Sequence, residues 1–117
     1  MEVRAMPTDL LFREDAYATE CTARVIGAGP EGSRRFVLDF AGGKLNEIPS
    51  SKTVQPDITA SRGRIGQIVV QKNQVTGGWR AFFDLFPGKE ELIELRGVLQ
   101  LGGEILTETW TYQWTSV

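Results

Sequence analysis

The sequence predicts an all-β fold, and three of its features carry that prediction. Apolar and polar residues alternate through the last third of the chain, glycine-rich turns separate the alternating segments, and no segment of useful length has a helical period. Successive side chains of a strand point to opposite faces, so this alternation is typical of strands that bury one face. Many short strands with no helices between them indicate a sandwich or a barrel.

The chain begins with a segment, residues 1–18, that shows no clean period. We expect this segment to be linker-like and the remaining residues, 19–117, to form the folded domain. Two predicted strands open the domain at residues 20–27 and 34–40, with a turn rich in glycine and proline between them. An antiparallel pairing of these two strands is the simplest arrangement. In the second strand, the residues predicted to share one face are Phe36, Leu38 and Phe40.

A loop-rich stretch follows at residues 41–57, where two prolines and two glycines interrupt any period. Leu45 and Ile48 are expected to attach this loop to the core. Two further short strands are predicted at residues 58–62 and 65–72, because apolar residues return there without a helical period.

Three longer alternating segments complete the chain, and the sequence predicts that they pair in order as a β-meander. Turns at residues 86–89 and at Gly102-Gly103 join them. The residues predicted to face the core are Trp79, Ala81, Phe83 and Leu85 in the first segment, Ile93, Leu95, Leu99 and Leu101 in the second, and Leu106, Trp110, Tyr112 and Trp114 in the third. The total is about seven antiparallel strands, the number found in immunoglobulin-like sandwiches.

Composition excludes several classes of function. The 13 basic and 15 acidic residues leave a net charge of −2, which gives no field that would attract nucleic acid. The chain has no histidine, the commonest general base and metal ligand, and its single cysteine excludes an intrachain disulfide. No run of 18 apolar residues exists, so no membrane span is predicted. We expect no cofactor, no bound metal and no nucleic-acid partner.

The acidic residues do not form a predicted catalytic pair. Glu104 and Glu108 lie four residues apart on one predicted strand, which separates their Cα atoms by about 13 Å and leaves no cleft between them. Asp39 and Asp84 face outwards, where they are either solvated or paired with neighbouring basic residues. Those basic residues are Arg35 and Arg80. We therefore expect no catalytic residue and no enzymatic activity in this domain.

The aromatic residues of the last third have two possible roles. Trp79 and Trp110 are in phase with leucines predicted to be buried, so we expect them in the core. Trp114, near the chain end, fits the core or the surface equally well. Phe82 is in phase with charged residues and is predicted on an outer face, where an exposed phenylalanine indicates contact with another surface.

Five parts of the sequence together resemble a known family. They are Arg35-Phe36-Val37-Leu38-Asp39-Phe40-Ala41-Gly42-Gly43, Thr59-Ala60-Ser61-Arg62-Gly63, Gly78-Trp79-Arg80 with Phe83-Asp84-Leu85, Glu94-Leu95-Arg96, and Leu106-Thr107-Glu108-Thr109-Trp110-Thr111-Tyr112-Gln113-Trp114. In this order and spacing they are similar to the C-terminal domain of the periplasmic glucan biosynthesis proteins, the OpgG/OpgD (MdoG/MdoD) family. The similarity runs from about Val25 to the end of the chain.

The resemblance implies an immunoglobulin-like (E-set type) β-sandwich that follows a much larger β-sandwich domain, in which the glucan-binding groove mainly lies. It also implies a periplasmic location, although the N-terminus lacks the basic start and apolar core of a signal peptide. On this interpretation the chain is either a fragment of a longer protein or a stand-alone relative.

Two functions follow from these observations. The first is a non-catalytic accessory domain that packs against the larger glucan-binding domain or helps to shape it. The second is a stand-alone carbohydrate-binding module, in which Trp79, Tyr112 and Trp114 form a stacking platform for β-glucan. The candidate glucan or interdomain contacts are Arg62, Phe82, Tyr112 and Trp114.

Overall fold

The computed structural model describes residues 20–116, so the predicted linker-like segment at residues 1–18 lies outside the described residues. Two short 3-10 helices, Pro30–Gly32 and Gly43–Glu47, lie on either side of the second strand. The nine strands of this part of the chain are β1 (Glu20–Ala28), β2 (Arg34–Ala41), β3 (Gln55–Ala60), β4 (Arg64–Ile65), β5 (Val69–Lys72), β6 (Trp79–Phe86), β7 (Leu92–Leu101), β8 (Glu104–Ile105) and β9 (Trp110–Thr115).

The strands form two antiparallel sheets. In the first sheet, β1 pairs with β2, β2 pairs with β6, and both β4 and β5 pair with the other edge of β6. In the second sheet, β3 pairs with one edge of β7, while β8 and β9 share the opposite edge. The predicted all-β sandwich is confirmed, as is the antiparallel pairing of the first two strands.

The predicted meander is wrong at its first connection. β6 belongs to the first sheet and β7 to the second, so the turn after Phe86 carries the chain across the sandwich instead of making a hairpin. β6 pairs along its length with β2, which places Phe36 opposite Phe83. Two-residue alternation indicates which face of a strand is buried, but not which strand lies beside it. Only the pairing of β7 with β8 and β9 keeps the predicted order.

Two of the predicted strands are interrupted, which accounts for nine described strands instead of about seven. The strand predicted at residues 65–72 is split into β4 and β5, and in the gap the N–H of Gly66 donates to the Asp84 carbonyl at 2.9 Å. The last predicted strand is interrupted between β8 and β9. There the side chain of Thr107 is fully buried, and its Oγ1 accepts a hydrogen bond from the Leu99 N–H at 3.1 Å.

The core consists of aliphatic and aromatic side chains from both sheets. All four inward residues predicted on β6 are buried, as are the three predicted on β2. Trp110 and Trp114 of β9 are also buried, with 8% of each exposed. Removing a side chain of this size from water contributes about 1.5–3 kcal/mol, so these rows supply much of the stability of the fold.

The loop after β2 is attached to the core as predicted. Leu45 is fully buried, and Ile48 packs half-buried against the same cluster. Lys72, at the end of β5, holds the loop from the other side because its ammonium group donates to three backbone carbonyls. The acceptors are Asn46 O at 3.2 Å, Ile48 O at 2.8 Å and Gly77 O at 2.7 Å. One ammonium group, which has three donors, therefore ties this loop to the turn between β5 and β6.

Gly97 occupies an inward position of β7 where the alternation would place a large side chain. A Cβ atom at this position would lie 2.9 Å from Cγ1 of Ile58 and 3.6 Å from Cε3 of Trp110. The distance to Ile58 is shorter than the contacts that Cβ atoms make in proteins. The glycine is therefore required because the side chains of the two flanking strands close over the backbone of β7.

Replacing Gly97 with Ala tests this close packing. We expect the Gly97→Ala variant to lose about 1–3 kcal/mol of unfolding free energy, because the new methyl group overfills the space beside Ile58. Urea unfolding measures the change.

The Ile58→Ala variant is the matched control, since it removes the atom that the methyl group would meet. In the double variant, we expect the cost of Gly97→Ala to fall well below its cost in the unmodified chain. Simple addition of the two single costs would contradict the packing explanation.

Candidate functional site

The four predicted contact residues do not come together in one site. Phe82 lies on the outer face of the first sheet, as predicted, but it is half-buried there and not fully exposed. Arg62 is exposed in the bend between β3 and β4. Tyr112 lies on β9 with 38% of its surface exposed, whereas Trp114 on the same strand belongs to the core.

The structure does not form the predicted aromatic stacking platform. Trp79 is only 3% exposed and lies in the first sheet, and Trp114 is buried in the second. Of the three residues proposed for the platform, only Tyr112 presents substantial surface. A sugar ring that stacks on aromatic faces needs those faces exposed side by side. The carbohydrate-binding module based on these three residues is therefore not supported.

An exposed apolar cluster lies instead beside the edge strands of the two sheets. We call it the lateral seam, and its residues are Val25, Ile26 and Tyr112. Val25 on β1 pairs with Phe36, and the Tyr112 ring meets the Phe36 ring edge-on at 5.4 Å between centroids. β1 and β9 each have only one described neighbouring strand. Val25 and Ile26 are 41% and 52% exposed, so the seam presents apolar surface to solvent.

A second, less exposed apolar strip crosses the outer face of the first sheet. Val37, Phe82 and Val69 lie in register on three neighbouring strands. At the end of the strip the guanidinium of Arg64 sits 3.9 Å from the centre of the Phe86 ring. A cation at this distance is attracted to the negative face of the ring. The strip borders a shallow depression of about 330 Å³.

Cross-strand ion pairs flank the strip on both sides. Arg35 on β2 donates two hydrogen bonds to Asp84 on β6, at 2.8 and 2.9 Å. Arg80 on β6 donates two to Asp39 on β2, at 2.8 and 3.1 Å. Of the two states expected for these aspartates, pairing with arginine is therefore the one observed. Hydrogen bonds from Arg35 lower the pKa of Asp84 and outweigh the opposing effect of desolvation.

Asp39 is the more heavily engaged of the two aspartates. Besides its pair with Arg80, it accepts a hydrogen bond from the Asn73 side chain at 2.9 Å, and Arg24 lies 3.9 Å away. Desolvation raises the pKa of Asp39, but the hydrogen bonds and positive charges around it lower that pKa by more, so the net shift is downward. Asn73 also accepts hydrogen bonds from two backbone N–H groups of the following turn, those of Val75 and Thr76.

The two glutamates considered as a catalytic pair and the single cysteine lie elsewhere in the fold. Glu104 ends up in β8, where it lies 3.7 Å from Lys44, and Glu108 lies outside the strands. The prediction that the two glutamates share one regular strand is therefore wrong. Burial raises the pKa of Cys21 to about 12, with a further contribution from Asp39, so its thiol stays protonated and unreactive. Within residues 20–116, no group of three His, Cys, Asp or Glu residues has metal-binding geometry.

The outer face of the second sheet is polar and carries an open depression of about 520 Å³. Hydroxyl, amide and charged side chains of three neighbouring strands line it: Thr59, Ser61, Glu94, Arg96, Thr111 and Gln113. Ser61 is engaged structurally, because its Oγ accepts the Glu94 N–H at 2.9 Å and so extends the β3–β7 ladder by one step. This face resembles the solvated side of an ordinary sandwich.

The seam was not predicted, although the sequence carries a signal for it. Val25 and Ile26 are adjacent apolar residues in a strand, and two adjacent side chains cannot both face the same core. One of them must therefore lie outside. Arg64 was also missed, because its contact with Phe86 depends on the pairing of β4 with β6, which alternation does not predict.

Comparison with known proteins agrees with the resemblance noted in the sequence. The model of a family described as "Periplasmic glucan biosynthesis protein, MdoG" matches residues 9–114. This chain belongs to that family. The match covers both sheets and extends upstream of β1.

Individual relatives carry similar descriptions. The chain is 42% identical over 85 residues to "Probable glucans biosynthesis protein D" of Shewanella oneidensis, covering 71% of the chain and 16% of that relative. It is 36% identical over 113 residues to "Glucans biosynthesis protein D 2" of Ralstonia nicotianae, covering 86% of the chain and 21% of that relative. It is 39% identical over 90 residues to "Glucans biosynthesis protein G" of Rhodopseudomonas palustris, covering 77% and 18%. The chain thus spans only about a fifth of the relatives that it matches. No helix within residues 20–116 is long and apolar enough to cross a membrane.

The network around Asp39 predicts a pH-dependent contribution to stability. Because the pKa of Asp39 is lowered in the folded state, its contribution is present above the ordinary aspartate pKa of about 3.9 and is lost as the pH falls through the folded value. We expect Asp39→Asn to lower the unfolding free energy by about 1 kcal/mol at neutral pH and by progressively less in acid. Thermal unfolding between neutral pH and strongly acidic pH measures the difference.

Asp57→Asn is the matched control, since Asp57 is exposed on the outer face of the second sheet. This variant should leave the unfolding free energy almost unchanged at every pH. Equal effects of the two substitutions would contradict the assigned role of Asp39.

Proposed function

We propose that this chain is a non-catalytic accessory domain of a periplasmic glucan biosynthesis protein, in which it packs against a larger, glucan-binding domain. The family match supports an involvement in glucan biosynthesis. The small share of each relative that the chain spans supports a place within a longer protein. The periplasmic location is part of the proposal and rests on the description of the family.

The observation that carries the packing role is the lateral seam. Val25 and Tyr112 flank Phe36, and Ile26 follows Val25 along β1. Within the described residues β1 and β9 are edge strands, and edge strands of a self-contained sandwich usually present polar groups. Contiguous exposed apolar surface beside free strand edges is typical of protein–protein contacts. Tyr112 suits such a contact well, because one side of its ring is fixed on Phe36 and Trp110 while the rest is free to be covered.

The other predicted contacts have subordinate roles in this proposal. Phe82 and the strip around it offer a second, flatter contact whose charged borders are already paired within the domain. Arg62 presents an exposed cation at the opposite edge of the second sheet, next to β3. Trp114 would act through the core, by supporting β9, and not by direct contact.

The non-catalytic part of the proposal rests on the state of the polar groups. The aspartates of the first sheet are neutralised by arginines, and the lowered pKa of each opposes the proton uptake that a general acid requires. The depressions on the outer faces of the two sheets are open, so neither would exclude water from a reacting group.

A binding experiment with the larger domain tests the packing role. When the chain is titrated with the separately produced larger domain of a glucan biosynthesis protein, we expect saturable heat of binding by calorimetry. The Ile26→Glu variant should weaken that binding at least tenfold, because it places a charge in the apolar seam.

Val75→Glu is the matched control. Val75 is 95% exposed at the turn between β5 and β6, far from the seam, so this variant should bind like the unmodified chain. Absence of binding would overturn the accessory role, and an equal loss in both variants would remove the seam as the contact.

A further inference from the structure

A groove at the β5 edge of the first sheet is not used by any of the roles described above. It lies between β5 and the loop at residues 50–54 and is an open groove of about 600 Å³. Cavities of about 300–1,000 Å³ are the usual size for small-ligand sites. We call it the Trp79 groove, and the residues that define it are Ser50, Lys52, Thr53, Gln71, Gln74 and Trp79.

The indole N–H of Trp79 lacks a hydrogen-bond acceptor. Trp79 lines the groove, and only 3% of its surface is exposed. Its Nε1 nevertheless has no hydrogen-bond partner among the described residues. Indole nitrogen can only donate, and buried donors in native proteins are almost always paired. Nε1 is itself covered by neighbouring side chains, so an oxygen from the groove supplies the missing acceptor when those side chains move aside.

The groove is walled by groups that recognise oxygen-rich ligands. It combines two hydroxyl side chains, Ser50 and Thr53, with two amide side chains, Gln71 and Gln74, and no acidic residue lines its described part. Lys72 also borders it, but its three donors are already used by backbone carbonyls. The Lys72 ammonium lies 5.6 Å from the centre of the Trp79 ring and holds that ring in place.

This combination selects against the other common ligand classes. Cations are disfavoured by Lys52 and Lys72, both of which line the groove. An apolar ligand would leave the hydroxyl, amide and indole donors unpaired. A neutral ligand with many hydroxyl groups satisfies all of them, because each hydroxyl both donates and accepts.

We propose that the Trp79 groove binds a short stretch of glucan chain, with a sugar hydroxyl accepting the hydrogen bond from Trp79 Nε1. The identity of the sugar rests on the proposed function. The mode of binding differs from the stacking platform considered from the sequence, because the indole contributes its N–H and not its face. The amide side chains of Gln71 and Gln74 would bind further hydroxyls along the rim.

Nuclear magnetic resonance of the indole N–H groups tests this proposal on the chain itself. The three tryptophans give three indole signals, and that of Trp79 is assigned by sequential assignment and by the Trp79→Phe variant. On titration with linear β-linked glucose oligosaccharides, we expect the Trp79 signal to shift and to saturate. The signals of Trp110 and Trp114 should not move, because those residues lie in the other sheet.

Variants of the rim sharpen the test. Gln74→Ala should weaken binding by about threefold to tenfold, the effect of losing one hydrogen bond. Gln113→Ala, on the outer face of the second sheet, is the matched control and should leave the affinity unchanged.

Three results would overturn the proposal. They are no shift of the Trp79 signal at millimolar oligosaccharide, equal shifts of all three indole signals, and contact of the Trp79 N–H with a bound water that the sugar does not displace. These results are independent of the calorimetric test of the seam. A groove that fails to bind sugar therefore leaves the accessory role intact. Failure of the seam to bind the larger domain likewise leaves the indole titration of the groove to be judged by its own result.

Discussion

The contact of Phe36 with aromatic rings from both sheets holds the sandwich together. Its ring is stacked on Phe83 within the first sheet, at 5.3 Å, and receives the edges of Trp110 and Tyr112 from the second, at 6.3 and 5.4 Å. Edge-on contacts of this kind are favourable because the positive edge of one ring meets the negative face of another. Phe36 is fully buried, but the outermost ring that covers it, Tyr112, has no strand beyond it in the described part of the chain. The exposed seam is therefore a direct consequence of how the core closes.

The same strand pairing that buries Phe36 also sets the charges on the outer face. β2 and β6 pair so that Arg35 lies opposite Asp84 and Asp39 lies opposite Arg80. A shift of one residue would turn the core residues outwards. A shift of two would separate both ion pairs, and in one direction it would put Asp39 opposite Phe82 and Asp84 opposite Val37. Exposed ion pairs contribute little to stability by themselves, but two bidentate pairs in one register favour that register over the alternatives.

Much of this structure could be predicted from sequence, and the failures have identifiable physical causes. Alternation correctly predicted the buried faces of β2 and β6 and the attachment of Leu45, because burial alternates with the strand period. It did not predict that β6 pairs with β2, since the period contains no information about neighbours. Alternation with the inward-facing Leu106 would place Thr107 outside, but its hydroxyl is buried and accepts a hydrogen bond from the Leu99 N–H. Of the seam residues, Tyr112 was among the contacts proposed from the sequence, but Val25 and Ile26 were not, because their exposure depends on β1 being an edge strand.

The two proposed binding surfaces are compatible because the topology separates them. Across the first sheet the strands run in the order β1, β2, β6 and then β5, so the seam and the Trp79 groove lie at opposite edges. A larger domain that covers the β1 edge would leave the β5 edge open to solvent. The loop that walls the groove is anchored by Val54, which is buried in the core, and the segment before it is held by the hydrogen bond from Lys72 to the Ile48 carbonyl. Its position therefore does not depend on what covers the seam. A domain built in this way would bind its parent protein through one edge and present a fixed polar groove to a glucan chain at the other.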